Sequence, residues 1–101
     1  KNSLETKIVL DRNIAVRVRP GDAIGATLSM QFDGLTVSAV KEGSTSSESG
    51  LMPNDIITAI NGYPTRYMPL NRAIELIKGS KDGKVGLTVR KDVVMWGKGG
   101  L

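Results

Sequence analysis

The chain has 101 residues, 40% of them apolar and 24% charged, with a net charge of +4 and neither cysteine nor histidine. These values predict one globular domain with a modest core. The two absences exclude a disulfide framework, Ser-His and Cys-His nucleophiles and the usual zinc sites, and no acidic residues have calcium-loop spacing. We therefore expect no metal or other cofactor and no enzymatic activity.

The positive charge is compatible with acidic peptides, anionic lipid or nucleic acid as partners, and equally with a surface that only aids solubility. Four aromatic residues are present, and they do not alternate with basic residues, so we expect no nucleic-acid binding. A weak contact with an anionic membrane surface stays open as an alternative. We expect the isolated domain to be a monomer.

The first residue is Lys1, and neither a signal-peptide pattern nor an apolar run long enough to span a bilayer follows it. We interpret the chain as a piece of a longer protein. Its compartment is unknown from sequence, and a cytoplasmic or membrane-peripheral location is the expectation only for a scaffold-type parent.

The first 13 residues are predicted to be an N-terminal extension with one extra strand. A loose start, Lys1–Thr6, leads into the apolar run Lys7–Leu10, which Asp11–Asn13 is expected to interrupt. Ile14–Arg19 then alternates apolar and polar residues, which predicts a half-buried strand. Pro20–Asp22 predicts a turn.

An alternating hairpin, Thr27–Val40, is predicted next, with Asp33–Gly34 at its turn. The polar stretch Lys41–Gly50 follows. We interpret its Ser44–Ser47 as a flexible surface loop, with a short helical turn near Ser46–Gly50.

A central buried strand is predicted from Ile56 to Ile60, because it is apolar on both faces. A turn at Pro53–Asp55 precedes it, in which Asn54 tolerates positive φ and Asp55 can cap with its own side chain. Asn61–Gly62 is a strong signal for a tight turn after it.

A helix is predicted over Leu70–Lys78, because its apolar residues recur with helical spacing, after Pro69 and before Gly79. A strand over Val85–Arg90 follows. Beyond it, residues 91–101 form a predicted C-terminal extension.

Within that extension, Val93–Trp96 could pair with Lys7–Leu10, and Gly97–Gly100 is flexible by composition. The predicted fold is mostly β with one or two helices, a small antiparallel barrel or sandwich of five to six strands capped by a helix. Most of its core is expected from Val37, Ile56, Ile57, Ile60, Ala73, Leu76, Val85, Leu87 and Val89.

The order of these elements over residues 14–90 resembles a PDZ domain. The stretch from Gly43-Ser44 through Gly50-Leu51 and Asn54-Asp55 to Ile60-Asn61-Gly62 is similar to that family's most specific segment. The helix Leu70–Lys78 resembles the family's second helix.

The resemblance implies a protein–protein interaction module that captures the C-terminal tail of a partner as an added β-strand. The terminal carboxylate would lie on backbone N–H groups of the loop Ala23–Ala26, beside the basic Arg19, whose alternative role is a solvated strand end. Leu70 would face the third-last side chain of the ligand. The implied peptide-binding residues are Arg19, Ala23, Ile24, Gly25, Ala26, Thr27, Leu28, Leu70, Ile74 and Ile77.

Departures from the family pattern bear on affinity. Ala23 replaces the first loop glycine, and Ala26 replaces a large apolar residue, which implies a wider or shallower pocket. Leu70 stands where a histidine would select Ser or Thr, so the resemblance implies apolar residues at both the last and third-last positions.

A PDZ-like regulatory or substrate-recruiting domain of a larger protease is the alternative. Many bacterial proteases take the edge strand beside the carboxylate loop from the C-terminal end of the domain. Here Ile14–Arg19 precedes the loop and favours the scaffold-type arrangement, whereas Val93–Trp96 leaves the permuted one open.

Overall fold

Six antiparallel strands and two helices make up the computed structural model, which describes residues 3–18, 24–79 and 83–98. The elements are β1 (Ser3–Arg17), β2 (Ala26–Gln31), β3 (Gly34–Val40), α1 (Thr45–Glu48), β4 (Ile56–Ile60), β5 (Tyr63–Pro64), α2 (Leu70–Lys78) and β6 (Lys84–Lys98). The mostly-β prediction is confirmed. Neither helix in the described ranges has the length and apolar character to cross a membrane.

The strands form one sheet in the order β1-β6-β4-β3-β2, with β5 paired to β4. The sheet is open rather than a closed barrel, because β1 and β2 lie at opposite ends of the order and are not paired with each other. At the ends of this order, β1 and β2 each have one edge without a strand partner among the described residues.

The core forms around β4. Ile57 and Ile60 are fully buried and Ile56 nearly so, as predicted for a strand apolar on both faces. All the predicted core residues are buried except Leu76, which is half-buried at the margin of the core. The sequence-based list omitted other buried residues, namely Ile14, Val16, Val18, Ile24, Leu35, Leu51 and Ile77.

Turn chemistry fixes the ends of β4. Asn54 has φ 75°, and Asp55 Oδ2 accepts a hydrogen bond from Met52 N at 2.9 Å, which confirms the predicted cap. Asn61 and Gly62 both have positive φ (50° and 83°), as a tight hairpin turn requires. This turn joins β4 to the two-residue strand β5, for which the sequence analysis predicted no strand.

The strand β1 runs from Ser3 to Arg17, so the predicted interruption at Asp11–Asn13 is wrong. The predicted loose start is wrong for Ser3–Thr6, and its first two residues lie outside the described residues. The polar tripeptide is accommodated because Asn13 and Asp11 are exposed while Arg12 pairs with the buried Asp55 (Nη2 to Oδ2, 2.6 Å). Arg12 Nη1 also donates to Gly50 O at 3.3 Å.

The expected pairing of the two extensions is present. Along β1 and β6, Val93–Trp96 lies opposite Glu5–Ile8, so its partner overlaps the predicted Lys7–Leu10 only at Lys7 and Ile8. Gly97 and Lys98, expected to be flexible, belong to β6, and residues 99–101 lie outside the described residues.

The serine-rich stretch is ordered in the fold, contrary to the prediction of a flexible loop. Ser44 Oγ accepts from Ser47 N at 3.2 Å and caps α1, which spans Thr45–Glu48 rather than Ser46–Gly50. Ser46 is fully buried, and its N–H donates to Ile24 O at 3.1 Å. This contact ties α1 to the segment that leads into β2.

Candidate functional site

A groove lies between the outer edge of β2 and the helix α2. Because β2 ends the strand order, one of its edges has no strand partner in the part of the chain that the structure describes. A cavity of about 210 Å³ opens at one end of the groove. Its lining is apolar except for one lysine and consists of Ile24, Ala26, Leu28, Ile74, Ile77 and Lys78.

At the N-terminal end of the groove lies a tight turn whose carbonyl oxygens accept hydrogen bonds from neighbouring parts of the fold. Gly25 has φ +81°, and its carbonyl oxygen accepts from Lys41 N at 2.7 Å. Ile24 O accepts from Ser46 N and from Thr45 Oγ1. The carbonyl groups of this turn are therefore used inside the fold. Among the described residues, neither Ile24 N–H nor Gly25 N–H donates to a backbone acceptor.

Glycine is required at position 25 for two reasons. Its positive φ disfavours any residue with a Cβ. A Cβ there would also collide with the Ser44 side chain. The cap of α1 and the turn before β2 are thus packed into one unit.

The strand β2 carries a register shift between Thr27 and Leu28 in its pairing with β3. Ala26 and Leu28 are half-buried and line the cavity, whereas Thr27 is exposed. The side chain of Thr27 therefore lies off the groove, although its backbone belongs to the edge.

The helix α2 provides the opposite wall. Ile74 and Ile77 line the cavity, and Ile77 is also part of the buried core. Leu70 is half-buried at the start of the helix, outside the cavity lining, and packs against the core.

The sequence interpretation missed one cavity residue, Lys78, which it named only as the last residue of the predicted helix. The available signal was helical spacing, because residue 78 lies one turn beyond Ile74 on the same face. The structure places its exposed side chain at the rim of an otherwise apolar cavity.

Eight of the ten predicted site residues are described, and six of them, Ile24, Gly25, Ala26, Leu28, Ile74 and Ile77, come together at this end of the groove. Arg19 and Ala23 lie outside the described residues. Within residues 3–18, 24–79 and 83–98, no group of acidic side chains is arranged to hold a metal ion.

Comparison with known proteins gives three results. A family model, the PDZ domain, matches residues 14–90. Probable CtpA-like serine proteases of Staphylococcus aureus and Staphylococcus epidermidis are 29% and 26% identical over 68 residues, which is 67% of this chain and 14% of theirs. The chain thus spans a small part of the curated relatives it matches.

A solved structure, a PDZ domain from choanoflagellate SHANK1 bound to a GIRK3 peptide, superposes with a TM-score of 0.74 at 17% identity. The match covers 85% of this chain and 97% of that one, and it shows the same fold. With the family model covering most of the chain, from β1 to β6, the chain belongs to the PDZ domain family.

Proposed function

We propose that this PDZ domain binds the C-terminal tail of a partner protein, which adds as a strand to the outer edge of β2. The observation that carries the proposal is the joint presence of an unpaired strand edge and an apolar cavity at its N-terminal end. An edge alone would pair with any extended segment. The cavity at one end favours a segment that stops there.

The terminal carboxylate would be bound by the N–H groups of Ile24 and Gly25. Successive N–H groups in a turn that contains a positive φ form a concavity suited to an anion. Hydrogen bonds to a charged acceptor are roughly twice as strong as neutral ones. Arg19 and Ala23, predicted to complete this loop, remain part of the proposal.

The last side chain of the ligand would enter the cavity of about 210 Å³. Ala26 leaves space there that a larger residue would fill. The third-last side chain would meet Leu70, which cannot reward a hydroxyl, because burying one without a partner costs roughly 1–3 kcal/mol. We therefore expect apolar residues at both positions and micromolar affinity, about −8 kcal/mol at 1 μM.

The test is fluorescence polarisation with matched peptides that end in Φ-x-Φ or in Ser/Thr-x-Φ, where Φ is apolar, each as free acid and as amide. We expect the Φ-x-Φ acid to bind most tightly. Equal affinity of acid and amide would contradict carboxylate capture, and preference for the Ser/Thr series would contradict the position given to Leu70.

Two variants with the same new residue on one helix locate the site. Ile74→Gln puts an amide into the apolar cavity and should weaken binding at least 10-fold. Arg72→Gln changes an exposed residue of α2 outside the cavity lining and should leave the affinity of a free-acid peptide without charged side chains within about twofold. Similar effects of the two would place binding elsewhere.

The second candidate is a substrate-recruiting domain of a larger protease, favoured by the CtpA-like relatives. The strand order supports the scaffold-type arrangement, because the strand that leads into the carboxylate loop is β1, and β6 is paired with β1 as its neighbour in the sheet. In both cases this chain carries no catalysis of its own. Mass spectrometry of peptides incubated with the purified chain should detect no cleavage, and reproducible cleavage would contradict this.

A further inference from the structure

The strands β1 and β6 continue together beyond the rest of the sheet. The pairing of β4 with β6 ends at Ile56 opposite Arg90, whereas the pairing of β1 with β6 continues to Ser3 opposite Lys98. Residues 3–10 and 91–98 therefore form a two-stranded ribbon with no described strand on either outer edge. A two-stranded ribbon alone is marginally stable in water.

The ribbon carries apolar residues that the domain does not cover. Leu10 is 46% exposed and Val9 is 55% exposed, while Ile8 and Val93 are half-buried. Ile8, Leu10 and Val93 lie on the face that the core residue Ile14 occupies farther along, so they extend the core face past the core.

We infer that a second copy of this chain covers the ribbon, by antiparallel pairing of the outer edges of the two β1 strands about a two-fold axis at Val9. This surface is separate from the groove at β2 and does not depend on the proposed peptide binding. It departs from the monomer expected from the sequence.

Symmetry limits the registers that such a dimer can use. Directly opposite residues of an antiparallel pair lie on the same face of the sheet, and a two-fold axis perpendicular to the sheet keeps each face. Only residues of equal parity can then be opposite each other. The allowed centres are therefore single residues such as Ile8, Val9 or Leu10, and never the midpoint between two.

Among these centres, Val9 places apolar residues opposite apolar residues and opposite charges across from each other in the two β1 strands. Ile8 is then opposite Leu10 of the second copy, so the apolar patches of the two copies join on one face. The positively charged residue Lys7 is opposite the negatively charged Asp11 twice, once on each side of the axis. Opposite charges at such positions favour the pairing.

A two-fold axis at Ile8 or at Leu10 does not give these favourable pairs. Centring on Ile8 sets Glu5 opposite Asp11, two like charges. Centring on Leu10 sets Arg12 opposite Ile8 and Asp11 opposite Val9, which places charge beside apolar groups. The charged residues of this edge thus favour the register centred on Val9 over the two neighbouring registers.

The domain itself limits the length of the contact. Farther along β1, Ala15 and Arg17 adjoin Thr45 and Glu48 of α1, so that part of the strand has a helix beside it. Pairing centred on Val9 uses residues 5–13 of each copy and stops before this helix.

Cysteine cross-linking tests the register, because the chain contains no cysteine of its own. Val9→Cys puts two thiols on the axis, where opposite Cα atoms are about 4.5–5.5 Å apart, within the range of a disulfide. Asp11→Cys is the control, since the Cα atoms of its two copies would be about 14 Å apart. Under mild oxidation Val9→Cys should form a covalent dimer readily and Asp11→Cys should not.

Charge exchange tests the same register without cross-linking. In sedimentation equilibrium the chain should approach twice its monomer mass as its concentration rises. Asp11→Lys should weaken association at least 10-fold, and Lys7→Asp combined with Asp11→Lys should restore it. Asp33→Lys, the same change at the turn between β2 and β3, should have no effect.

Each possible result of these experiments either supports or overturns the proposed dimer. A chain that stays monomeric up to about 1 mM overturns the proposal, as does a dimer that neither Asp11→Lys weakens nor Val9→Cys traps. Circular dichroism of each variant checks that it remains folded. Peptide binding measured on the Asp11→Lys variant should be unchanged, so failure of the dimer and failure of the proposed function remain distinguishable.

Discussion

The two ends of the sheet, β2 and β1, offer the same backbone groups but differ in what lies beside them. The edge of β2 is short and faces α2 across an apolar cavity. The edge of β1 spans 15 residues, and its N-terminal half carries alternating charges and has no described helix beside it. Strand edges pair with little sequence preference, so selectivity comes from the neighbouring side chains.

The side chains beside the two strand edges select their binding partners by different features of the partner. At β2 the selection is for a chain end, since a cavity and a turn of N–H groups lie at one point of the edge. At β1 the selection is for register, since charges repeat along the edge. Four predictions break or sharpen this contrast, ordered by the size of the expected effect.

The largest effect is expected from Arg12→Ala, which removes the ion-pair partner of the buried Asp55. Asp55 is fully buried and would lose its cationic partner, and breaking a buried pair costs about 3–5 kcal/mol. Because Arg12 is 34% exposed, we expect about 3 kcal/mol less stability in urea unfolding. Arg17→Ala, on the exposed face of the same strand, is the control, and equal losses in both would contradict a specific role for the pair.

This ion pair also shows where sequence reasoning failed. The residues of the pair are far apart in the chain, and Asp11-Arg12-Asn13 taken locally has the composition of a turn. Only the folded arrangement shows that Arg12 meets a buried carboxylate. The serine stretch was misjudged for the same reason, since its small polar residues favour a loop until Ile24 O is placed beside them.

The elements that were predicted correctly are those whose signal is local. The strand β4 has an apolar run bounded by turn residues, and α2 has helical spacing over nine residues. The groove was located through the family resemblance, because a cavity between β2 and α2 has no signature in either segment alone. Lys78 was missed because its charge has an equally good explanation in the helix dipole.

The second prediction concerns the turn at the end of the β2 groove. Gly25→Ala forces a Cβ into positive φ, at a cost of roughly 1–2 kcal/mol, and into collision with Ser44. We expect loss of more than 1 kcal/mol of stability and at least a 10-fold loss of peptide affinity, while association through β1 persists.

Gly43→Ala is the matched control for that change. Gly43 also has positive φ, at +78°, but a Cβ there would meet nothing within 4 Å. It should therefore reproduce the loss of stability caused by the backbone without the loss of peptide binding. If both variants bind equally well, the turn at Gly25 does not form the carboxylate site.

The third prediction concerns Lys78 at the rim of the cavity. Lys78→Glu replaces an attractive charge by a repulsive one near the proposed position of the ligand carboxylate, and we expect a 3- to 10-fold loss of affinity that shrinks as salt is raised. Lys84→Glu makes the same change on an exposed residue of β6, outside the cavity lining. Equal losses would show that only net charge matters.

The last prediction separates the two edges by truncation. Residues 11–91 retain the Arg12–Asp55 pair, the groove and the whole pairing of β4 with β6, but lose most of the ribbon. A fragment that begins at residue 14, where the family match starts, would lose Arg12 and orphan Asp55. We therefore propose 11–91, rather than 14–90, as the minimal folding unit.

The peptide affinity of this fragment should stay within about twofold of that of the full chain, because nothing in the groove has changed. Its self-association should be abolished, because Val9 and Lys7 are gone. Fluorescence polarisation and sedimentation on the same sample measure both quantities. If the fragment loses both activities while circular dichroism shows it folded, the two edges are coupled through the sheet, and the independence argued from their separate neighbours is wrong.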